Sequence, residues 1–257
     1  MWACGGYFYK DASGDVQMGN TVGGLGLASI VRITRNSNFV LGLQGQYGQS
    51  GINTSNMQWG SQYNGLNYDP SLFNGEGVEY VPFNFFDLGF GVAYWFRKTD
   101  IRVAAMSAQE GKIGFSVYHL NKPSYTFSTT DETRLPMRFV GHASSLFGTR
   151  WENLNWYPNA TVAFQGKQHE VLAGVLWHYR LKAGSKNTGF VNEVSLTFGS
   201  DIRVTNVLDA AVPQFYVNLG GISIGASYDV NLSKLRSSSQ FRGGFELSLR
   251  FTQQKLN

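Results

Sequence analysis

Phe85-Phe86-Asp87-Leu88-Gly89-Phe90-Gly91-Val92-Ala93-Tyr94-Trp95-Phe96-Arg97 reads as two interleaved sequences. One parity is Phe86, Leu88, Phe90, Val92, Tyr94 and Phe96, and the other is Phe85, Asp87, Gly89, Gly91, Ala93, Trp95 and Arg97. Successive side chains of a strand point to opposite faces, so the segment has one greasy face and one that is mostly small or charged. A soluble strand averages roughly five or six residues, whereas a tilted strand needs about 9–11 to cross a bilayer. This run has the length of the second kind.

The same period recurs outward in both directions. Phe39, Leu41, Leu43 and Tyr47 oppose Gly42, Gln44, Gln46 and Gly48; Ile113, Phe115 and Val117 oppose Gly114, Ser116 and Tyr118. Val171, Ala173, Val175, Trp177 and Tyr179 face away from Gly174, His178 and Arg180, although Leu172 and Leu176 interrupt the polar side. Ile222, Ile224, Ala226 and Tyr228 oppose Ser223, Gly225, Ser227 and Asp229, and Phe245, Leu247, Leu249 and Phe251 alternate with Glu246, Ser248, Arg250 and Thr252. The pattern predicts twelve strands, near 2-10, 20-33, 39-50, 84-97, 111-120, 136-147, 155-165, 168-181, 190-199, 212-219, 221-230 and 243-252. Connections 34-38, 148-152 and 220-221 are short and fall on one side, while 51-83, 121-135, 200-211 and 231-242 are long, rich in Asn, Ser, Asp and Gly, and fall on the other. Short turns at one end and long loops at the other mark an outer-membrane barrel. Segment 98-110 is too long for its side, and 165-167 too short. A soluble sandwich also alternates, but it does not account for long strands whose polar parity is Gly, Ser, Asn and Gln. The expected fold is all-β: one antiparallel transmembrane β-barrel domain over 1-257.

Composition agrees. Among 257 residues only 15% are charged, against about 25% in ordinary soluble domains. Thirty-one Gly, nineteen Phe, thirteen Tyr and six Trp stand beside six Pro, a strand-favouring mixture that leaves little room for disorder. No window is apolar for the ~18 residues a membrane-spanning helix needs. The net charge of +4 is scattered singly along the chain, which gives no nucleic-acid stripe. Cys4 has no second cysteine to pair with. Met1-Trp2-Ala3-Cys4 lacks the basic and apolar regions of a signal peptide, so either the protein is cytosolic or its start is missing.

Candidate chemistry is sparse. Asp11, Ser13 and Asp15 have the spacing of half a calcium loop, but Val22 stands where the bidentate Glu belongs. A turn is the better reading. The glycine pairs Gly23-Gly24 and Gly89/Gly91 precede no helix, as a phosphate cradle would require. His119, His142, His169 and His178 lie on different strands or strand ends, without the spacing of a metal or hydrolase site. No catalytic residue, metal or cofactor is expected. Arg32, Asp87, Arg97, Lys112, Arg138, His178, Arg180, Glu193, Asp229, Glu246 and Arg250 fall on the polar parity and are expected to face a lumen. Burial of an unpaired charge is costly, so these groups should pair or stay hydrated.

Several strings go beyond pattern. Tyr9-Lys10-Asp11-Ala12-Ser13-Gly14-Asp15, Val117-Tyr118-His119-Leu120-Asn121-Lys122-Pro123, Leu135-Pro136-Met137-Arg138, Ile224 to Ser233 and Gly243 to Phe251 resemble the PorP/SprF family of the type IX secretion system of Bacteroidota, in one order from about residue 5 to 251. The resemblance implies a bacterial outer-membrane barrel whose role is not enzymatic. It implies help in the secretion or surface attachment of a secreted adhesin with a C-terminal sorting domain, as in gliding motility. Its partners would be that adhesin, other type IX components and membrane lipid. Family members carry further N-terminal segments, including two strands, so a complete member would have fourteen. The alternating strands alone would serve a porin-like channel equally well. Within the long loops Tyr63, Tyr68, Phe73 and Tyr125 are candidate partner-binding anchors, with a place at the membrane interface as the competing role for such aromatics.

The parity assigns Phe86, Phe90, Tyr94, Phe115, Val175, Trp177, Phe245 and Leu249 to the lipid-facing band. Phe90→Arg therefore places a charge near the membrane midplane, at a cost of about 2–4 kcal/mol. The folded fraction in outer-membrane extracts should fall sharply, and wild-type insertion would reverse the parity. The same parity makes Gly89→Arg the milder change. The resemblance implies that the last strand, alternating and aromatic-ended, directs insertion, so deletion of 245-257 should leave the chain in the periplasm; undiminished surface exposure would remove that role.

Overall fold

The computed structural model describes residues 1–14, 16–53, 57–75, 81–98, 109–127, 133–151, 153–182, 194–233 and 243–252. The strands are β1 (Trp2–Ser13), β2 (Met18–Thr34), β3 (Ser37–Gly51), β4 (Phe83–Lys98), β5 (Gln109–Tyr118), β6 (Arg138–Gly148), β7 (Leu154–Gln165), β8 (Gln168–Lys182), β9 (Val194–Val204), β10 (Leu208–Leu219), β11 (Ile222–Tyr228), the two-residue β12 (Val230–Asn231) and β13 (Phe245–Phe251). They form one sheet in chain order from β1 through β11 to β13, with β12 paired to β10. The registers of β1/β2, β7/β8, β8/β9, β9/β10, β10/β11 and β11/β13 are antiparallel. β1 and β13 each have one ladder neighbour among the described residues. This is the expected all-β antiparallel sheet of the transmembrane barrel class, and no helix among the described residues is long and apolar enough to cross a membrane.

One expectation is corrected. Segment 200-211 is no long loop: β9 runs to Val204, β10 restarts at Leu208, and the intervening turn closes with Thr205 N–H donating to Val207 O at 3.0 Å. Gly199, Ser200 and Asp201 are turn formers by composition, but here they occupy strand positions against Leu176, Val175 and Gly174 of β8. The strand expected at 190-199 begins at Val194, and 190-193 lies outside the described residues, as do most of 98-110 and 231-242.

Contacts divide the chain into two compact units. The first comprises Met1–Ile30, Leu41–Gly91 and Val117–Arg138, and the second Val31–Val40, Val92–Ser116 and Phe139–Asn257. Each shows the two faces that alternation predicts. In the first, Leu25, Leu27, Leu43, Tyr47, Phe86 and Phe90 are exposed on the apolar parity, while Val22, Ser50, Phe85 and Asp87 are buried on the other. In the second, Phe115, Trp156, Trp177, Phe198, Phe215, Ile224 and Leu249 are exposed, while Asn155, Ser195 and Asp201 are buried. An exposed face of large apolar side chains over a buried polar one inverts a soluble fold and suits a sheet solvated by lipid.

Glycine makes room on the inner parity. A Cβ added at Gly24, Gly48 or Gly225 would run into the ring of Tyr7, Phe85 or Tyr216, respectively. Each ring lies flat over a bare backbone of a neighbouring strand, which explains glycine at strand positions where its entropy cost is otherwise unfavourable. Gly89 is less crowded, with Tyr118 Cδ1 at 3.2 Å from a Cβ there, so Gly89→Arg meets the Tyr118 ring, a steric cost separate from the membrane term that parity assigns. Gly23, on the outer parity, has open space instead. Gly48→Ala should lower the urea midpoint of the detergent-folded protein by an equivalent of about 1–3 kcal/mol through overpacking against Phe85, whereas Gly23→Ala should leave it unchanged or raise it. Equal midpoints for the two variants would show that Phe85 does not rest on Gly48.

Candidate functional site

In the first unit the inner face carries one connected polar network. Asp87 of β4 is 1% exposed. Gln46 of β3 donates from Nε2 to its Oδ2 at 2.8 Å. The Tyr7 hydroxyl of β1 donates to Gln46 Oε1 and accepts from Gln44 Nε2 at 2.7 Å. His119 Nδ1 lies 3.0 Å from Asp87 Oδ2, within ion-pair range although short of hydrogen-bond alignment. Parity would put His119 on the outer face with Ile113, Phe115 and Val117. It follows the last residue of β5 in the left-handed region, at φ 59°, and that turn brings the imidazole to the inner carboxylate. Two residues on, Asn121 substitutes for a strand: its Oδ1 accepts from Leu88 N at 3.1 Å and its Nδ2 donates to Phe86 O at 2.7 Å. The string Val117 to Pro123 thus fastens the end of β5 to β4.

The second unit repeats the device with different residues. Asp201 is 5% exposed and accepts from Asn159 Nδ2 at 3.1 Å and Gln214 Nε2 at 2.6 Å, while Gln214 Oε1 accepts from Tyr216 OH at 2.9 Å. Amide donors on both oxygens satisfy a buried carboxylate without a cation. Farther along this face His178 Nδ1 meets Thr197 Oγ1 at 3.0 Å, Asn218 Nδ2 donates to the same oxygen at 3.2 Å, and Ser223 Oγ donates to Asn218 Oδ1 at 2.7 Å. Arg203 Nη2 reaches Asp229 Oδ2 at 2.8 Å. Glu110 gathers Arg97 at 3.8 Å, Lys112 at 3.9 Å and the indole N–H of Trp95 at 2.9 Å.

The expected inner charges are therefore spread over several small groupings. Asp87, Arg97, Lys112 and Asp229 have ionic partners, and His178 and Glu246 have hydroxyl partners, the latter Ser227 Oγ at 3.4 Å. Arg32 donates to Thr34 O and Arg35 O at 3.2 and 3.3 Å. Arg180 is half-buried, whereas Arg138 and Arg250 are exposed, and Glu193 lies outside the described residues. Glu110, Asp201 and Arg203 stand outside the expected set because 98-110 and 200-211 have the composition of connections. Among the described residues no cluster of three or more His, Cys, Asp or Glu could hold a metal ion.

The loop after β3 has its own small core. A single 3-10 turn, Gly60–Gln62, buries Gln62, whose Nε2 donates to Leu72 O at 2.9 Å and whose Oε1 accepts from Tyr68 OH at 3.0 Å. Tyr63 and Tyr68 form an antiparallel bridge. The Asp69 carboxyl is held below its usual range by the Ser71 hydroxyl and amide. Its contribution is present above the ordinary carboxylate pKa and fades only as pH falls through the lowered value. Leu66 is 89%, Phe73 76% and Tyr63 57% exposed on this ordered loop. Tyr125 has another environment: its hydroxyl donates to Asn20 Oδ1 at 2.9 Å, and its ring packs edge-on against Phe83 and Phe85.

Gln46→Leu leaves the Asp87 carboxylate with only His119. It should cost about 1–3 kcal/mol in urea unfolding of the detergent-folded protein, as an uncompensated buried polar group does. Lys112→Ala breaks a half-exposed pair and should cost at most about 1 kcal/mol. The reverse order would mean that Asp87 is hydrated in solution.

A comparison with curated proteins finds no match. A comparison with family profiles matches residues 2–251 to the family described as type IX secretion system membrane protein PorP/SprF. That span takes in every strand from β1 to β13 and both polar networks. The chain belongs to the PorP/SprF family of type IX secretion system membrane proteins.

Proposed function

We propose that the protein forms a single barrel domain of the bacterial outer membrane and assists the secretion or surface attachment of a partner with a C-terminal sorting domain, such as a gliding adhesin. The family match across residues 2–251 carries this reading, since it gives the chain a place among the membrane components of that secretion system. Tyr63 and Phe73, beside the exposed Leu66, are the anchors that hold the secreted partner. Their support is the loop itself. An aromatic group contributes most to binding when its backbone is already ordered, because less conformational entropy is then lost on association. The buried Gln62 and the Tyr63/Tyr68 bridge supply that order. Tyr68 acts from beneath, through its bond to Gln62, and Tyr125 contributes through its inward cluster.

The reading makes the double variant Tyr63→Ala/Phe73→Ala decisive in the native host. Surface display of a secreted protein with a C-terminal sorting domain should fall severalfold, measured by antibody labelling of intact cells, while barrel abundance in the outer membrane stays unchanged. Undiminished display with a correctly inserted barrel would remove this loop from the function. An altered single-channel current with normal display would favour the porin-like channel.

A further inference from the structure

The inner face of β2, β3 and β4 is not polar along its whole length. Towards the loop after β5 its parity carries Val22 on β2 and Phe83 and Phe85 on β4, with Val22 and Phe85 buried. Hydrated lumen surfaces do not bury such side chains, so something covers them. Over Phe83 and Phe85 the cover is the segment that follows the His119/Asn121 fastening. Its described parts, Pro123–Phe127 and Thr133–Leu135, run beside each other, tied by a Ser124/Arg134 bridge. Tyr125 N donates to Thr133 O at 2.8 Å, and Leu135 N donates to Pro123 O at 2.9 Å.

Five contacts lay this segment across the inner face. The Tyr125 hydroxyl reaches Asn20 on β2 at 2.9 Å, and its ring sits 4.9 Å from Phe83 and 5.5 Å from Phe85 on β4, both edge-on. Phe127 packs edge-on against Phe83 at 5.0 Å, and its carbonyl accepts from Val81 N at 3.0 Å. β2 and β4 are separated in the sheet by β3, so their axes lie about 9–10 Å apart, and one tyrosine touches both. On the inner parity of β3, Ser50 is 1% exposed with its hydroxyl 3.5 Å from Gly19 O, next to Asn20 on β2, and Gly48 carries the Phe85 ring.

We infer that Pro123–Phe127 and Thr133–Leu135 form a constriction inside the barrel, seated by Tyr125 and Phe127 on Asn20, Phe83 and Phe85, which keeps the resting protein from conducting ions. Edge-to-face ring packing and burial of aromatic area favour the seated state, and the loop root is anchored by His119 on Asp87 and Asn121 on the β4 backbone. A membrane component that handles a large secreted partner without leaking small solutes needs such a seal. The inference stands apart from the Tyr63/Phe73 assignment, because it is read by ion flow and not by display.

The full-length protein, in a Cys4→Ser background with Ser50→Cys, tests it by two independent measurements. In planar bilayers the parent should give low conductance, and Tyr125→Ala/Phe127→Ala should raise it severalfold. A charged methanethiosulfonate reagent should modify Cys at position 50 slowly in the parent and much faster in the double variant. Tyr125→Phe keeps the rings and loses only the bond to Asn20, so it should stay closer to the parent in both. Heat-dependent gel migration reports folding for each; if the double variant does not fold, Tyr125→Ala alone, which removes both the ring and the bond to Asn20, replaces it in the same thiol measurement and should accelerate modification. Parent-like conductance together with parent-like thiol protection in a folded variant would overturn the inference, as would a parent that already conducts like an open porin.

Discussion

The structure depends on one constraint: in hydrocarbon no water satisfies a backbone N–H or C=O, so each must find its partner inside the sheet. Strands in a continuous antiparallel ladder meet it, and with that ladder comes a strict division of side chains by parity. Everything polar must then go to one face. Glycine, Asn, Gln and Ser on the inner parity and Phe, Leu and Ile on the outer follow directly from this sorting, as does the low charge content. The exposed apolar side chains of both units, which would be an aggregation surface in water, are the solvated surface in lipid.

The strands were legible because this constraint writes itself in period two, and Phe85 to Arg97 alone shows strand type, length and facing. The errors arose where inner-face chemistry resembles loop chemistry. Gly199-Ser200-Asp201 has turn composition, but small residues and a carboxylate are what a crowded polar face takes when Asn159 and Gln214 stand opposite. Hence Asp201 and Arg203 were invisible as site residues. The approach of His119 to Asp87 is not legible for another reason: its left-handed backbone breaks the alternation after β5, and no periodicity foresees a turn of that kind. Tyr125 was legible as an aromatic on a long loop, whereas its inward direction depends on Asn20, more than a hundred residues away.

Buried carboxylates on the inner face are held mainly by neutral amides, with cations in a secondary place. Asp201 takes amide donors from Asn159 and Gln214 on its two oxygens, which spares the desolvation of a second ion, whereas Asp87 has the Gln46 amide beside His119. Such networks order the wall within each unit, in keeping with the general division between a rigid scaffold and the loops it carries. The loop around Gln62 extends that order outward, to side chains with no packing role in the sheet.

The division into a lipid face and an inner face is the claim on which the rest stands. It is tested most directly by placing nitroxide labels singly along β4 from Phe86 to Phe96 in the membrane-inserted protein. Their collisions with oxygen, which partitions into lipid, are then compared with those of a water-soluble nickel complex. The account predicts period-two alternation, with labels at Phe86, Leu88, Phe90, Val92, Tyr94 and Phe96 favouring oxygen and those at Asp87, Gly89, Gly91, Ala93 and Trp95 shielded from it. A period near 3.6, or no alternation at all, would contradict it.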